Sequence, residues 1–307
     1  MVAKQELMPY AFLGGKIIPF ELATVSIASQ SLQYGLTCFG GVRGYHRNGK
    51  NRLLRLPDHF QRFQDGIRIL GMDLFLEWEQ FQAIIAELIH INAPKGDFYI
   101  RPVAISTSNA LGPTFIGNHF ELGIYMMHLG GYFSKSDGLN LEISSWRKFS
   151  DAALPTKAKA GGCYLNSALA KSQAIANGYD DALMMDDSGS IVEASVANIF
   201  LVRHGRILMP MRGSAMLEGI TRRTVVELLS SVGIDVLETT IDRSMVYTAD
   251  EFFLTGTAAE LAYVASVDGR RITTSGNSGP IFNRLKELFS SVIEGEHPFS
   301  SKWIVEF

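Results

Sequence analysis

The feature that most constrains the fold is a glycine-rich stretch that separates two sets of strand-like and helix-like segments. Residues 130–138 read GGYFSKSDG and contain three glycines and two serines, the composition of a linker. At roughly 150 residues per domain, the 307 residues predict two domains. The sequence therefore predicts an α+β (mixed α/β) fold, with a small N-terminal α/β domain over residues 1–129, an interdomain loop over 130–138 and a larger α/β domain over 139–307.

Apolar residues recur at helical spacing in several segments. Phe60, Phe63 and Ile67 recur every three or four positions and Gly71 follows, which is typical of an amphipathic helix closed by a left-handed glycine. A first hairpin is predicted to turn at Gly14-Gly15. Further helices are predicted over residues 78–92, 163–177, 219–233 and 280–293. Strands are predicted within 97–108, 119–129, 139–146, 181–186, 190–195, 197–202, 206–210 and 251–260.

Charge and composition exclude several classes of function. Lys plus Arg number 28 and Asp plus Glu 31, so the formal net charge is −3, without the basic excess of proteins that bind nucleic acid or anionic membranes. The sequence has no apolar run of the roughly 18 residues that a membrane helix needs, and its N-terminal stretch lacks the apolar core of a signal peptide. Cys38 and Cys163 match no metal-ligand spacing. We expect a cytoplasmic protein that binds no metal, no nucleic acid and no membrane.

Lys159 is the strongest candidate for a reactive group. It lies in the segment Ala158–Gly162, whose other side chains are small and leave room for a bulky partner against the lysine stem. A lysine amine attacks a carbonyl carbon only when it is deprotonated, which partial burial favours. The alternative is a surface lysine in a flexible turn, and for so short a motif that is the commoner case. Spacing alone does not exclude Lys157 as the nucleophile.

Two loops and one arginine have the composition of anion-binding elements. Gly219-Ile220-Thr221 precedes a helix, whose first-turn N–H groups and dipole favour a phosphate, and the Thr221 hydroxyl adds a donor. Thr255-Gly256-Thr257 follows a strand and offers a hydroxyl beside a flexible backbone. Arg62 lies at the edge of the first helix, where it is either solvated or a clamp on phosphate. Taken alone, each loop is a weak signal, because Gly-X-Thr helix starts are usually only caps.

Four further polar side chains stand in strand-like or apolar contexts. Glu193 lies in SIVEAS, and because a buried carboxylate is costly alone, we expect a cation or an N–H group beside it, in a structural ion pair or a functional site. Tyr164 is either a core residue or a phenol aimed at a ligand. Tyr99 and Arg101 are two positions apart on a strand and face the same side, where the arginine pairs with a structural acid or receives a substrate carboxylate.

The ordered set of motifs resembles the fold-type IV pyridoxal-phosphate enzymes, and most closely the branched-chain amino acid aminotransferases. The motifs are residues 34–43 (YGLTCFGGVR), 59–62 (HFQR), 99–102 (YIRP), 159–164 (KAGGCY), 193 (E), 219–222 (GITR) and 255–260 (TGTAAE). Each is weak alone, but their order extends over nearly the whole chain. The resemblance implies a two-domain, D-amino acid aminotransferase-like architecture with the cofactor lysine in the larger domain. It also implies pyridoxal 5′-phosphate as the cofactor, and transamination of L-leucine, L-isoleucine and L-valine with 2-oxoglutarate to 2-oxo acids and L-glutamate.

The same resemblance implies a role for each cofactor residue. Lys159 binds the cofactor covalently and later carries the proton between Cα and C4′, and Tyr164 bonds the 3′ oxygen of the ring. Glu193 holds the proton on the ring nitrogen that an electron sink requires. The phosphate is received by Arg62, Ile220, Thr221 and Thr257.

The substrate pocket has to accept an aliphatic side chain in one half-reaction and the side-chain carboxylate of glutamate in the other. By resemblance, Tyr99 and Arg101 serve the carboxylate. The apolar wall consists of Tyr34, Phe39 and Tyr132. The α-carboxylate meets the backbone at Thr257, Ala258 and Ala259. Members of the family share the active site across a homodimer interface, so we expect a homodimer or a higher homo-oligomer.

Three departures from the family pattern fall near the pocket. The segment after Glu193 reads ASVAN up to Asn198, bulkier than the usual glycine-rich run. Gly40 stands where an acid is usual, and Leu129 where a tryptophan is frequent. The departures concern substrate preference more than cofactor use, and the segment from Glu193 to Asn198 together with Leu129 motivates an alternative, a D-amino acid or (R)-amine transaminase. A lyase similar to aminodeoxychorismate lyase is a further alternative on the same fold.

Overall fold

The computed structural model describes residues 6–132, 135, 137–211, 213, 215–272 and 278–307. They fall into two compact units. The first contains the described residues of Met1–Gly130, Ala158–Gly162 and Ile293–Phe307, and the second those of Gly131–Lys157 and Cys163–Val292. Within the described ranges, no helix is both long enough and apolar enough to cross a bilayer.

The first unit is built on a sheet of eight strands in the order β17-β5-β4-β6-β7-β1-β2, with β3 also paired to β6. All of its pairings are antiparallel. Its strands are β1 Tyr10–Leu13, β2 Lys16–Pro19, β3 Thr37–Phe39, β4 Val42–Arg47, β5 Lys50–Leu54, β6 Phe98–Ser106, β7 Phe120–His128 and β17 Ile304–Glu306. Its helices are α1 Gln30–Tyr34, α2 Leu56–Ile69, α3 Trp78–Asn92 and α8 Ser300–Trp303.

Helices α2 and α3 form one apolar core with the strands of this sheet. Phe60, Phe63 and Ile67 are buried in that core, and burial of each such side chain stabilises the fold by about 1.5–3 kcal/mol. Gly71 adopts a positive φ of 65° just after α2. The predicted amphipathic helix and its glycine terminator are therefore confirmed.

Strands β3 and β4 behave as one strand that is interrupted at Gly40-Gly41. Both pair with β6, β3 through residues 103–105 and β4 through residues 98–100. A Cβ atom at Gly41 would overlap the Tyr99 hydroxyl, and one at Gly40 would lie 2.7 Å from Cγ of Pro102. The interruption requires small residues because side chains of β6 pass directly beside it.

The second unit has a nine-stranded sheet in the order β10-β9-β8-β15-β14-β11-β12-β13, with β16 on β15. Its strands are β8 Leu139–Arg147, β9 Asp181–Met185, β10 Ile191–Ala194, β11 Asn198–Arg203, β12 Arg206–Pro210, β13 Val236–Thr239, β14 Glu251–Gly256, β15 Glu260–Val267 and β16 Arg270–Arg271. Its helices are α4 Tyr164–Ala176, α5 Ile220–Ser231 and α6 Arg243–Tyr247, followed by α7 Pro280–Glu294, which continues into the first unit at Ile293. The predicted long helices and central strands are confirmed to within a few residues.

The compact units divide the chain differently from the predicted domain boundaries. The segment Ala158–Gly162 belongs to the first unit because Cys38 forms a β-bridge with Ala160. The C-terminal residues also belong there, because β17 pairs with β5. The predicted interdomain loop, 130–138, includes residues 133, 134 and 136, which lie outside the described residues, so that loop stays a prediction.

Candidate active site

Backbone contacts within the first unit position Lys159. The Phe39 N–H donates to the Lys159 carbonyl at 3.0 Å, and the Lys159 amine nitrogen lies 4.8 Å from the centre of the Phe39 ring. A Cβ atom at Gly161 would overlap the Thr37 hydroxyl. The small residues after Lys159 therefore allow a close backbone approach to β3, which is a different reason from the open space that the sequence suggested.

Arg62 and Lys159 are brought together around Cys38. Burial raises the pKa of the Cys38 thiol to about 12, and the positive charges of Arg62 and Lys159 oppose that rise. A Cβ atom at Gly66 would lie 2.6 Å from the Cys38 sulfur, so α2 packs closely on this cysteine. Two of the predicted site residues thus share one region of the first unit, and Arg62 is half-buried rather than fully solvated.

This environment predicts an unreactive thiol at position 38. A thiol whose pKa is about 12 is neutral at pH 8, and only the thiolate reacts readily. Burial also raises the pKa of the Cys163 thiol. We expect iodoacetamide at pH 8 to leave both cysteines unmodified in the folded protein and to alkylate both in guanidinium chloride, as read by intact mass. Rapid labelling of Cys38 in the folded chain would contradict the assignment.

Arg101, Tyr99 and Phe39 form a compact cationic and aromatic group in the first unit. The Arg101 guanidinium carbon lies 4.7 Å from the Phe39 ring centre and 5.2 Å from that of Tyr99, and its Nη2 lies 3.5 Å from the Tyr99 hydroxyl. Tyr34 ends α1, where its hydroxyl accepts the Gly112 N–H at 3.4 Å. Sequence reasoning missed Gly41, whose lack of a side chain admits the Tyr99 hydroxyl.

Glu193, on β10 of the second unit, has partners on both carboxylate oxygens. Lys148 Nζ lies 2.6 Å from Oε1, and the two side chains are only 9% and 7% exposed. The Leu217 N–H donates to Oε2 at 3.3 Å. The sequence predicted a cation or an N–H group beside Glu193, and the structure provides both. Lys148 itself was missed, since the only sequence signal was a basic pair at the end of a strand.

Gly219 is the N-cap residue of helix α5 and provides no side-chain cap. Asn198 fixes this start, because its Nδ2 donates to the Leu217 carbonyl at 2.9 Å and a Cβ at Gly219 would overlap its Oδ1. The N–H groups of Ile220 and Thr221 therefore open the first turn of a helix whose dipole favours an anion. Asn198 is a second residue that sequence reasoning missed in this role.

The end of β14 lies beside the start of α5. Asn198 is paired with Thr255 across β11 and β14, and Thr255 Oγ1 is a buried hydroxyl that has no hydrogen-bond partner among the described residues. The following turn, residues 257–259, is half-buried and leads into β15.

Tyr164 begins α4, and the Tyr132 ring centre lies 5.5 Å from Nζ of Lys171.

The bulky residues after Glu193 are accommodated in a tight turn. The Ala194 N–H donates to the Ala197 carbonyl at 2.8 Å, and the Ser195 hydroxyl donates to the buried carboxylate of Asp181. Val196 is 39% exposed, so the largest side chain of the turn points outward. This departure from the family pattern leaves the Asn198 contact at α5 in place.

Comparisons with known proteins identify the class of this arrangement. The family described as amino-transferase class IV matches residues 37–267. The probable branched-chain-amino-acid aminotransferase of Aquifex aeolicus (strain VF5) is 38% identical over 300 residues, which are 97% of this chain and 96% of that protein. The chain therefore belongs to the class IV aminotransferases.

Two solved structures narrow the class. The branched-chain aminotransferase of Thermoproteus uzoniensis with norvaline has a TM-score of 0.92 and 34% identity, with 99% of both chains covered. A T.th. branched-chain amino acid aminotransferase complexed with N-(5′-phosphopyridoxyl)-L-glutamate has a TM-score of 0.92 and 35% identity, with 98% of this chain and 99% of that chain covered. Within class IV, the chain is a member of the branched-chain aminotransferase family. The resemblance and the mixed α+β fold-type IV architecture expected from the sequence are confirmed.

Proposed function

We propose that the chain transfers the amino group of L-leucine, L-isoleucine and L-valine to 2-oxoglutarate, with pyridoxal 5′-phosphate as the cofactor. The observation that carries the proposal is the group of Arg101, Tyr99 and Phe39 in the unit that also holds Lys159 and Arg62. An aromatic wall beside a cation suits both an aliphatic side chain and the second carboxylate of glutamate. The related structures contain norvaline and a phosphopyridoxyl-L-glutamate, which supports both halves of this specificity.

The described residues fit the proposed cofactor. The second unit offers an uncapped helix start, at Ile220 and Thr221, and the buried Thr255 hydroxyl beside it. The first unit offers the Arg62 guanidinium and the Lys159 amine. Helix N-termini, hydroxyls and guanidinium groups bind phosphate, and a lysine amine condenses with an aldehyde. We assign the cofactor to Arg62, Lys159, Tyr164, Glu193, Ile220, Thr221 and Thr257.

When bound, pyridoxal 5′-phosphate supplies an electron sink for the bonds at the amino-acid Cα. In this proposal Lys159 moves the proton between Cα and C4′, and Glu193 holds a proton at the ring nitrogen. Arg101 orients the side-chain carboxylate of glutamate, while Phe39 contacts aliphatic side chains. The remaining wall and α-carboxylate contacts are assigned to Tyr34, Tyr99, Tyr132, Ala258 and Ala259.

Single half-reactions test the proposal most directly. Stopped-flow absorbance of the bound cofactor should change rapidly with L-leucine, L-isoleucine, L-valine and L-glutamate. D-alanine and (R)-1-phenylethylamine should react at least about 10-fold more slowly, and no pyruvate should be released from aminodeoxychorismate. Failure of all three branched-chain substrates would contradict the substrate assignment. A preference for the D- or (R)-substrates would establish the alternative specificity.

We further propose that two copies of the chain associate. Leu111 and Ile116 are 90% and 88% exposed, yet their loop is ordered by Gln30, whose Nε2 donates to the Ala110 and Gly112 carbonyls at 3.1 Å. Ile27, before α1, is 85% exposed. Ordered loops that expose several large apolar side chains are typical of interfaces, so we assign this surface to a homodimer or larger homo-oligomer.

The cysteines are free thiols, which suits the reducing cytoplasm.

Leu111→Glu should weaken that association. A carboxylate buried in an apolar contact loses its hydration without gaining a partner, which makes association less favourable. Light scattering should therefore show a shift toward monomer at micromolar concentration. Lys16→Glu, at an exposed position of β2, is the matched control and should leave the mass unchanged. A monomeric wild-type chain would contradict the assembly.

A further inference from the structure

We propose that Lys148 is a positioning residue for the cofactor ring, which acts by keeping Glu193 ionised and oriented toward the ring nitrogen. The inference rests on the proposed function, since it assumes that Glu193 meets that nitrogen. It adds a residue outside the motif set, at the end of β8.

The structure fixes Lys148 from its backbone outward. Its N–H donates to the Met185 carbonyl at 2.7 Å, and Arg147, just before it, pairs with the same Met185 of β9. The side chain extends to Glu193 Oε1 at 2.6 Å and its Nζ lies 4.9 Å from the Phe149 ring centre. The pairing of β8 with β9 therefore fixes the backbone at Lys148, and its amine contacts one oxygen of the Glu193 carboxylate.

Burial makes this ion pair consequential. A buried carboxylate without a counterion takes up a proton rather than remain charged. A neutral Glu193 could still bond a ring nitrogen, but only through a neutral hydrogen bond, which is about half as strong as a charge-assisted one. Because its ammonium favours the ionised carboxylate, Lys148 favours the stronger, charge-assisted hydrogen bond to the ring nitrogen. The Leu217 N–H at 3.3 Å on Oε2 favours the same state.

The ion pair leaves Glu193 able to bind. An ionised carboxylate has about four lone-pair sites, and Lys148 and Leu217 use one site on each oxygen. Cys163, whose pKa burial raises against the charge of Lys148, stays neutral at physiological pH and offers that ammonium no competing anion. The charge of Lys148 is thus directed to Glu193.

The test compares two cofactors on the cofactor-free chain. Pyridoxal 5′-phosphate and its 1-deaza analogue, which has a C–H in place of the ring nitrogen, are titrated by fluorescence quenching. The Kd of the 1-deaza analogue divided by the Kd of pyridoxal 5′-phosphate measures how strongly the chain recognises that nitrogen, and it does not depend on activity. We expect the ratio to fall by about 5–10-fold in Lys148→Met, the fold-change that halving a charge-assisted hydrogen bond gives. In Lys148→Arg, which keeps the charge, the ratio should stay within about 2-fold of wild type.

Three outcomes decide the inference. An unchanged ratio in Lys148→Met, or an equal fall in Lys148→Arg, would overturn it. In a Glu193→Gln background, Lys148→Met should cause no further fall, and an additional fall of the same size would also overturn it. This double variant removes both buried charges, so it keeps the test available if Lys148→Met alone does not fold. A wild-type chain that binds neither cofactor would instead refute the proposed function.

Discussion

Replacing Lys159 by alanine is expected to abolish the visible absorbance band of the lysine-bound cofactor and to slow the L-leucine half-reaction by about 10³-fold or more. The amine is both the proposed attachment point and the proposed proton carrier, so its loss removes two functions at once. Borohydride reduction followed by peptide mass mapping should place the cofactor label on Lys159 in the wild-type chain and on no residue in the variant.

Lys157→Ala is the matched control, since it removes an equivalent side chain two positions away. Lys157 Nζ lies 3.3 Å from the Met216 carbonyl and 3.6 Å from Glu218 Oε1, contacts that leave it a structural surface role. We expect this variant to keep its absorbance and its rate within about 3-fold. A label on Lys157, or loss of absorbance in its variant alone, would show that the nucleophile is wrongly assigned.

Arg101→Met should separate the two classes of substrate. A charge-assisted hydrogen bond to a carboxylate contributes about 1.5–3 kcal/mol, so the L-glutamate half-reaction should lose roughly 10- to 150-fold in rate over Kd. The L-leucine half-reaction should change by less than about 3-fold, because methionine keeps an unbranched apolar side chain at this position and an aliphatic substrate does not need the charge.

The control for charge is Arg68→Met, an exposed arginine in the last turn of α2, which should leave both half-reactions unchanged. If Arg101→Met reduced both substrates equally, the guanidinium would have a structural role in place of a role in substrate selection.

The sequence predicted the long elements well because their periodicity depends on local neighbours. Helix α2 and the strand β6 are long enough for several repeats of their pattern. Strand β13 has four residues, of which the central two are exposed at the sheet edge, so it carries no usable alternation. Strand β17 pairs with β5, some 250 residues earlier, and no local pattern reports a partner so distant.

The candidate site shows the same division. Lys159 and Arg101 stand in motifs whose residue types reveal their chemistry. Lys148, Asn198 and Gly41 act through contacts made by tertiary folding, with Glu193, with the start of α5 and with Tyr99. The sequence did predict that Glu193 needs a partner, because the cost of a buried carboxylate is a general property. It could not identify which of the basic residues in the chain provides it.

The absence of a side chain at Gly41 has a consequence for directed evolution of substrate range. Any substitution there must first push the Tyr99 phenol out of its place, so libraries randomised at this codon should return almost exclusively the parental residue. Variation of substrate range is expected instead at Phe39, whose ring centre lies 4.7 Å from the Arg101 guanidinium carbon.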